Sequence, residues 1–294
     1  MPAGFGSQSM VAPLRRVVVK RPREAFRSEE RIAREWRDLA FTGRPDLGRA
    51  GAEHDHLVAL LREAGAEVLH LPEAEGTTLD SIYVHDPGLV TDAGAIVFRT
   101  GKPQRRGEGK ALAAALLGWG VPVRGDVEGE ATAEGGDTLW LDRDTLVAAR
   151  GFRTNAGGVA RLRELLAPMD VTLVEVHLPY GEGPHDLLHL QSVISLLDHD
   201  LALVHRRLLP VPLFELLAAR GVALVDVPDE EYASLGCNVL ALAPRRLLML
   251  SGLPRTRARL EAAGCDVRTF DGEEIARKGG GGPTCLTRPV LRGG

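Results

Sequence analysis

The sequence predicts an α/β protein built as a closed ring of five similar modules, and three observations carry that prediction. Polar or reactive clusters containing Asp86, Glu134, His189, Cys237 and Cys285 recur at separations of 48, 55, 48 and 48 residues, a period characteristic of repeat architectures. After the clusters the chain repeats one order, a β-hairpin, a helix and a strand (ββαβ). The N-terminal strand at 16–20 has no hairpin partner of its own, and the segment 285–291 supplies one. Equivalent points of a closed array gather around its axis, so two carboxylates, an imidazole and a thiol should meet in one place.

The hairpins are expected at 88–99, 138–150, 192–205 and 239–250, turning at Asp92-Ala93-Gly94, Asp142-Arg143-Asp144, Asp198-His199-Asp200 and Pro244-Arg245. Asp, Gly and Pro between apolar runs are the local signal for such turns. Helices follow at 56–65, 110–120, 158–168, 212–221 and 255–264, with strands at 66–69, 121–123, 171–174, 222–225 and 265–267. Leucine or alanine at i, i+3, i+4 marks one buried stripe on each helix, and a glycine beyond the end acts as a stop. A doubly wound parallel sheet would also alternate helix and strand, but it has no need of the hairpins. Ring closure makes residues 1–294 a single expected catalytic domain, and the basic run 15–27 reads as a solvated strand edge.

A net charge of −4 gives no general attraction to nucleic acid or an anionic membrane, whereas a small cation suits it. No secretory signal or membrane-spanning run is visible, so a cytoplasmic setting is expected. Cysteines at 237, 265 and 285 form no paired framework and read as reduced thiols. Cys237 and Cys265 lie in apolar surroundings and read as core.

Cys285 differs, because Gly279 to Gly282 and Pro283-Thr284 precede it. Glycines allow close backbone approach to a ligand, and an exposed polar setting would let the thiol pKa fall. His189, between leucines, gains interest only from its place in the repeat, where an imidazole near a thiol can move protons at neutral pH. Glu134-Gly135-Gly136-Asp137 and Asp80…Asp86 offer carboxylates that suit a planar guanidinium. Arg105 and Arg153 lie on loops, and their fork geometry suits a carboxylate. His54 and His56 point apart on a helix start and read as surface residues. The run Gly107 to Ala111 lacks the upstream glycine and the hydroxyl residue of a phosphate loop. No metal or organic cofactor is expected.

Taken in order, D-S-x4-D-P, Q-R-R-G-E, E-G-G-D, R-T-N, H-L-Q-S, G-C-N-V-L and G-G-x-x-C-L resemble the dimethylarginine dimethylaminohydrolase branch of the guanidine-modifying superfamily, from about 15 to 291. That resemblance implies a five-module α/β propeller and a hydrolase cleaving the guanidino C–N bond of a substituted arginine. It further implies Cys285 as nucleophile, His189 as general acid/base, and Glu134 as the carboxylate orienting His189 and holding the guanidinium. Asp86 would bind guanidinium nitrogens, Asp80 the substrate's amino end, and Arg105 and Arg153 its carboxylate. The partner is then a small-molecule guanidine, and a homodimer is compatible with it.

Arginine deiminases and amidinotransferases typically carry H-x-D where this chain has Gln191, and an amide there would leave room for a substituted nitrogen. His85-Asp86, by contrast, replaces the Glu-Asp usual in methylarginine enzymes, and its Asp-Pro is similar to the deiminases. An arginine deiminase or amidinotransferase is therefore the rival enzyme. A non-catalytic protein holding arginine-like ligands is the rival of another class, although thiol, imidazole and acid together have no purpose in it.

Overall fold

The computed structural model describes residues 4–181, 183 and 188–293. The chain enters through β1 (Leu14–Val19) and, after helix Leu47–Glu63, returns in β2 (Glu67–His70) parallel to β1. Four uninterrupted modules follow. They comprise β3 (Gly88–Thr91), β4 (Gly94–Val97), helix Glu108–Gly118 and β5 (Val123–Asp126); then β6 (Thr138–Asp142), β7 (Thr145–Arg150), helix Ala156–Leu166 and β8 (Thr172–His177). The third runs β9 (Ile194–Asp198), β10 (Leu201–Val204), helix Val211–Ala219 and β11 (Ala223–Asp226). The fourth runs β12 (Leu240–Ala243), β13 (Arg246–Leu250), helix Pro254–Ala262 and β14 (Asp266–Phe270). The final strand, β15 (Arg288–Arg292), pairs antiparallel with β1, so the split module is completed by the two ends of the chain.

Each sheet has three strands, an antiparallel pair followed by a parallel one. The parallel pair needs a crossover, which is why a helix separates its strands. Inner strands such as β3 and β9 are almost wholly buried, while the third strand of each sheet presents exposed residues such as Glu67, Arg124, Glu175 and Asp266. The sheets therefore keep an outer edge, and charged side chains along it discourage pairing with another chain. Pro289 fits because β15 is an edge strand and needs no donor on its free side.

Helix stops behave as expected at Gly65, Gly120, Gly221 and Gly264, all in the left-handed region. The helix Ala156–Leu166 is followed by a short 3-10 turn, and Asp170 takes the left-handed position instead, at φ 55°. The helix expected from 56 begins nine residues earlier, at Leu47, because Asp46 caps it, accepting from Arg49 N at 2.7 Å; Gly48 and Gly51 mask its first turns in the sequence. That earlier start corrects the reading of His54. It shares a face with Leu57, Val58 and Leu61, is 2% exposed and sits against the His70 ring at 5.9 Å. Burial pulls it down to about 4. His56 is exposed. The basic run is corrected too: β1 is the middle strand of its sheet and Lys20 is 1% exposed. Among the described residues no helix is long and apolar enough to cross a membrane.

Candidate active site

Site residues cluster just before the first strand of each hairpin. Asp86 precedes β3, Glu134 precedes β6, His189 precedes β9, Asn238 precedes β12 and Cys285 precedes β15. Fivefold equivalence thus gathers them, and all but the buried Glu134 line one cavity of about 220 Å³, together with Tyr83 and Gly281 among others. Cys237 is a core residue as expected, 1% exposed, and its neighbour Asn238 faces the site. Asn238 Nδ2 donates to Cys285 Sγ at 3.2 Å, and its Oδ1 accepts from Thr284 N at 3.0 Å. The motif G-C-N-V-L contained this residue, but the cysteine drew the attention.

His189 caps the short helical turn Leu190–Val193 and places Nε2 2.7 Å from Glu134 Oε2. Glu134 is fully buried, and its Oε1 accepts from Gly101 N at 2.9 Å and Lys102 N at 3.2 Å. Arg153 Nη1 donates to Glu134 Oε2 at 3.2 Å. Burial opposes the Glu134 charge, but the hydrogen bond and charge of His189, with Arg153, hold its carboxyl down to about 2. Burial would also depress His189; Asp137, Asp86 and Glu134 outweigh it and push the imidazole up to about 9. Asp137 itself is fixed by Leu190 N at 3.2 Å and Thr154 Oγ1 at 2.7 Å.

Two glycines make this packing feasible. A Cβ on Gly136 would sit 2.5 Å from His189 Nδ1, and one on Gly281 would meet the Tyr83 ring at 2.6 Å. Gly136→Ala should therefore push the imidazole off Glu134, with a fall in kcat of roughly 10²-fold expected from a misplacement near 1 Å. Steady-state kinetics on the variant check this; unchanged kcat would mean the ring has slack.

Cys285 corrects the expectation of a lowered thiol pKa. Burial, reinforced by the Asp86 carboxylate, pushes it up to about 12 despite the Asn238 hydrogen bond. Cys285 and His189 thus share a cavity in which the thiol's pKa and the imidazole's are both raised.

Arg105 sits at the centre of a buried charge cluster. It is 3% exposed, and all three of its nitrogens already donate: Nη1 to Asp86 Oδ2 at 2.6 Å, Nε to Glu108 Oε1 at 3.0 Å, and Nη2 to Tyr83 O at 2.9 Å and Glu108 Oε2 at 2.8 Å. A guanidinium so occupied holds Asp86 in place, and it also lines the cavity. Burial would raise the Asp86 pKa, but Arg105 first, then His189 and His85, hold its carboxyl far below the usual range. Asp80 Oδ2 lies 2.6 Å from Lys102 Nζ, so its charge is neutralised within the protein.

Gln191 departs from expectation for a geometric reason. Residues i and i+2 of a helical turn point to different sides, and with His189 facing the cavity, Gln191 does not line it. Its amide nitrogen donates to Gly135 O and Thr138 O at 3.2 and 2.6 Å and lies 3.1 Å from His85 Nε2. Any influence on substrate choice must pass through these groups.

Ligand atoms of Asp86, Glu134 and His189 lie within 4.8 Å of one another, a spacing a metal ion could use. Asp86 and Glu134 already have cationic partners in Arg105 and Arg153, and His189 is bonded to Glu134. A divalent cation would have to compete with all three.

Comparison with known proteins follows the same lines. A family model described as N,N dimethylarginine dimethylhydrolase, eukaryotic, matches residues 43–292. The chain belongs to this family. The N(G),N(G)-dimethylarginine dimethylaminohydrolase of Streptomyces coelicolor is 32% identical over 243 residues, 82% of this chain and 86% of that protein. The dimethylarginine dimethylaminohydrolase of Pseudomonas aeruginosa, solved as a cysteine-to-serine mutant complexed with citrulline, superposes with TM-score 0.76 at 25% identity, covering 94% of this chain and 99% of that one. An arginine deiminase of Listeria welshimeri is similar over 253 residues at 24% identity, 71% of this chain and 61% of that protein. The five-sheet ring is the fold of this dimethylarginine hydrolase family, whose named members hydrolyse a C–N bond.

Proposed function

We propose that this protein cleaves the guanidino C–N bond of an N-substituted arginine by way of a covalent thiouronium on Cys285. The observation that carries this reading is the convergence of Cys285, His189 and Asp86 on one cavity, with Glu134 bonded to the imidazole from behind. Such a set is the inventory of an activated nucleophile with a general acid/base. The closure of the ring by β1 and β15 supports reading residues 1–294 as one catalytic domain.

The electrostatics suggest the order of events. A guanidinium entering beside Asp86 brings positive charge next to Cys285, which favours the thiolate, and the thiol proton leaves to solvent as the cation binds. The thiolate attacks the central carbon and forms a C–S bond. The imidazolium of His189 gives its proton to the departing amine as the C–N bond breaks, leaving a thiouronium. Neutral His189 then takes a proton from water, which attacks the same carbon; the C–S bond breaks and a ureido product departs.

The test is ureido-product formation against arginine, its monomethyl and dimethyl derivatives, agmatine and simple guanidines. Turnover of methylated arginine well above arginine is expected. Turnover of arginine alone would move the protein to deiminase chemistry, and transfer of the amidino carbon to an added amine would make it an amidinotransferase.

The same reading predicts that His189 stays cationic at neutral pH, which NMR of its ring nitrogens should show as a transition near 9. Its folded pKa lies above the ordinary value of about 6.5, so the stability its charge contributes is fully present below about 6.5 and is lost as pH rises through about 9. A transition at or below 6.5 would remove its role as proton donor.

A further inference from the structure

A second cavity, of about 20 Å³, lies behind the active site. On the same scale one water needs roughly 10–15 Å³, so there is room for a single small particle. Its walls include chain neighbours of the site residues, His85, Gln191 and Thr284, together with Trp140, Arg288 and Arg292; the N-terminal segment around Ser7 to Met10 covers it.

The two arginines are the anomaly. Arg288 is 4% exposed and Arg292 8%; among the described residues neither has a carboxylate within ion-pair distance, although Asp86 acts on Arg288 from further off. Arg288 Nη2 donates to His85 O, and Arg292 Nη1 to Ala12 O at 2.7 Å and Ala241 O at 2.9 Å. The Nε of each has no hydrogen-bond partner, and neither do Trp140 Nε1 and Thr284 Oγ1. Burial drags both guanidiniums down, yet only to about 9, so both stay charged at neutral pH.

Burying a cation without a paired counter-charge is costly, and the carbonyl partners, with the more distant Asp86 for Arg288, offset only part of that cost. The unpartnered side-chain groups of the lining are mostly donors, two guanidinium Nε–H groups, an indole N–H and a hydroxyl, against one acceptor, Gln191 Oε1. We propose that this cavity is a binding site for a monatomic anion, chloride in the first instance, held between Arg288 and Arg292. Phosphate and sulfate exceed the space. Gln191 Oε1, an acceptor in the same lining that also lacks a partner, favours water, so the experiment must separate the two occupants.

Crystals of the intact protein soaked in bromide should show an anomalous peak within hydrogen-bond reach of Arg288 Nε and Arg292 Nε. In solution, the melting temperature should rise by several degrees when gluconate is exchanged for chloride or bromide at constant ionic strength. Trp140→Phe, which removes one donor but keeps the ring, should shrink that rise. A water with no anomalous signal would overturn the proposal. So would equal melting in gluconate and chloride; a bromide peak without any halide effect on melting would signify an adventitious ion only.

Discussion

Cys285→Ser should abolish ureido-product formation, a loss on the order of 10⁴-fold or more, while the protein remains folded. The catalytic loss follows from chemistry. A hydroxyl is a far weaker acid than a thiol, and this site already disfavours an anion at position 285, since burial and Asp86 push even the thiol up to about 12. A guanidinium can draw the proton from sulfur but not from oxygen. Stability should scarcely change, because serine is nearly isosteric and its oxygen can still accept from Asn238 Nδ2, which now donates to Sγ at 3.2 Å. Circular dichroism and a thermal melt verify the fold. Mass spectrometry of wild-type protein quenched during turnover should reveal the thiouronium adduct, absent from the variant. A fully active serine variant would sink the mechanism.

Arg105→Met should cost about 3–5 kcal/mol, the usual penalty for removing one member of a buried charge cluster. Asp86 and Glu108, both 3% exposed, would be left without the cation that bonds them. Urea unfolding measures the loss. Adding Glu108→Gln should restore little, because burial holds the Glu108 carboxyl up to about 7 even beside Arg105 and without that cation it is neutral at pH 7; activity should stay lost, because Asp86 would still lack its anchor. This result separates two roles for Arg105. If it bound a substrate carboxylate, the methionine variant would raise KM and leave unfolding nearly unchanged.

Much of the fold was legible because hairpin turns and helix stops are local events repeated at a constant interval, and repetition corrects for weak individual signals. The turn at Pro244-Arg245 is modest by itself, yet the fourth hairpin turns there, with Arg245 at φ 59°. The site was legible for the same reason: His189 between two leucines means little until its equivalents are an acid and a thiol. What the repeat could not show is the direction of a side chain and the identity of its buried partner. Arg105 reads as a free loop cation until Glu108, three residues on, is seen to take the same guanidinium. Gln191 reads as a pocket residue until the turn at Leu190–Val193 sends it to the other side. The glycines before Cys285 suggested a thiol of lowered pKa; the residue is indeed partly exposed, yet Tyr83 packs into the space the glycines vacate.

The strand that closes the ring is the last of the five sheets' strands along the chain, and the proposed nucleophile lies just ahead of it. Leu14 pairs with Arg292 and Val18 with Arg288, and Cys285 lies just ahead of that strand. A nascent chain with four modules already formed would possess the acids and the imidazole but not the thiol, and would acquire it only when β15 docks on β1. Contacts of such long sequence separation are slow to form. On the proposed mechanism, assembly of the reactive centre is thereby timed to the completion of the whole ring, and an unclosed molecule lacks the thiol with which to modify a guanidine.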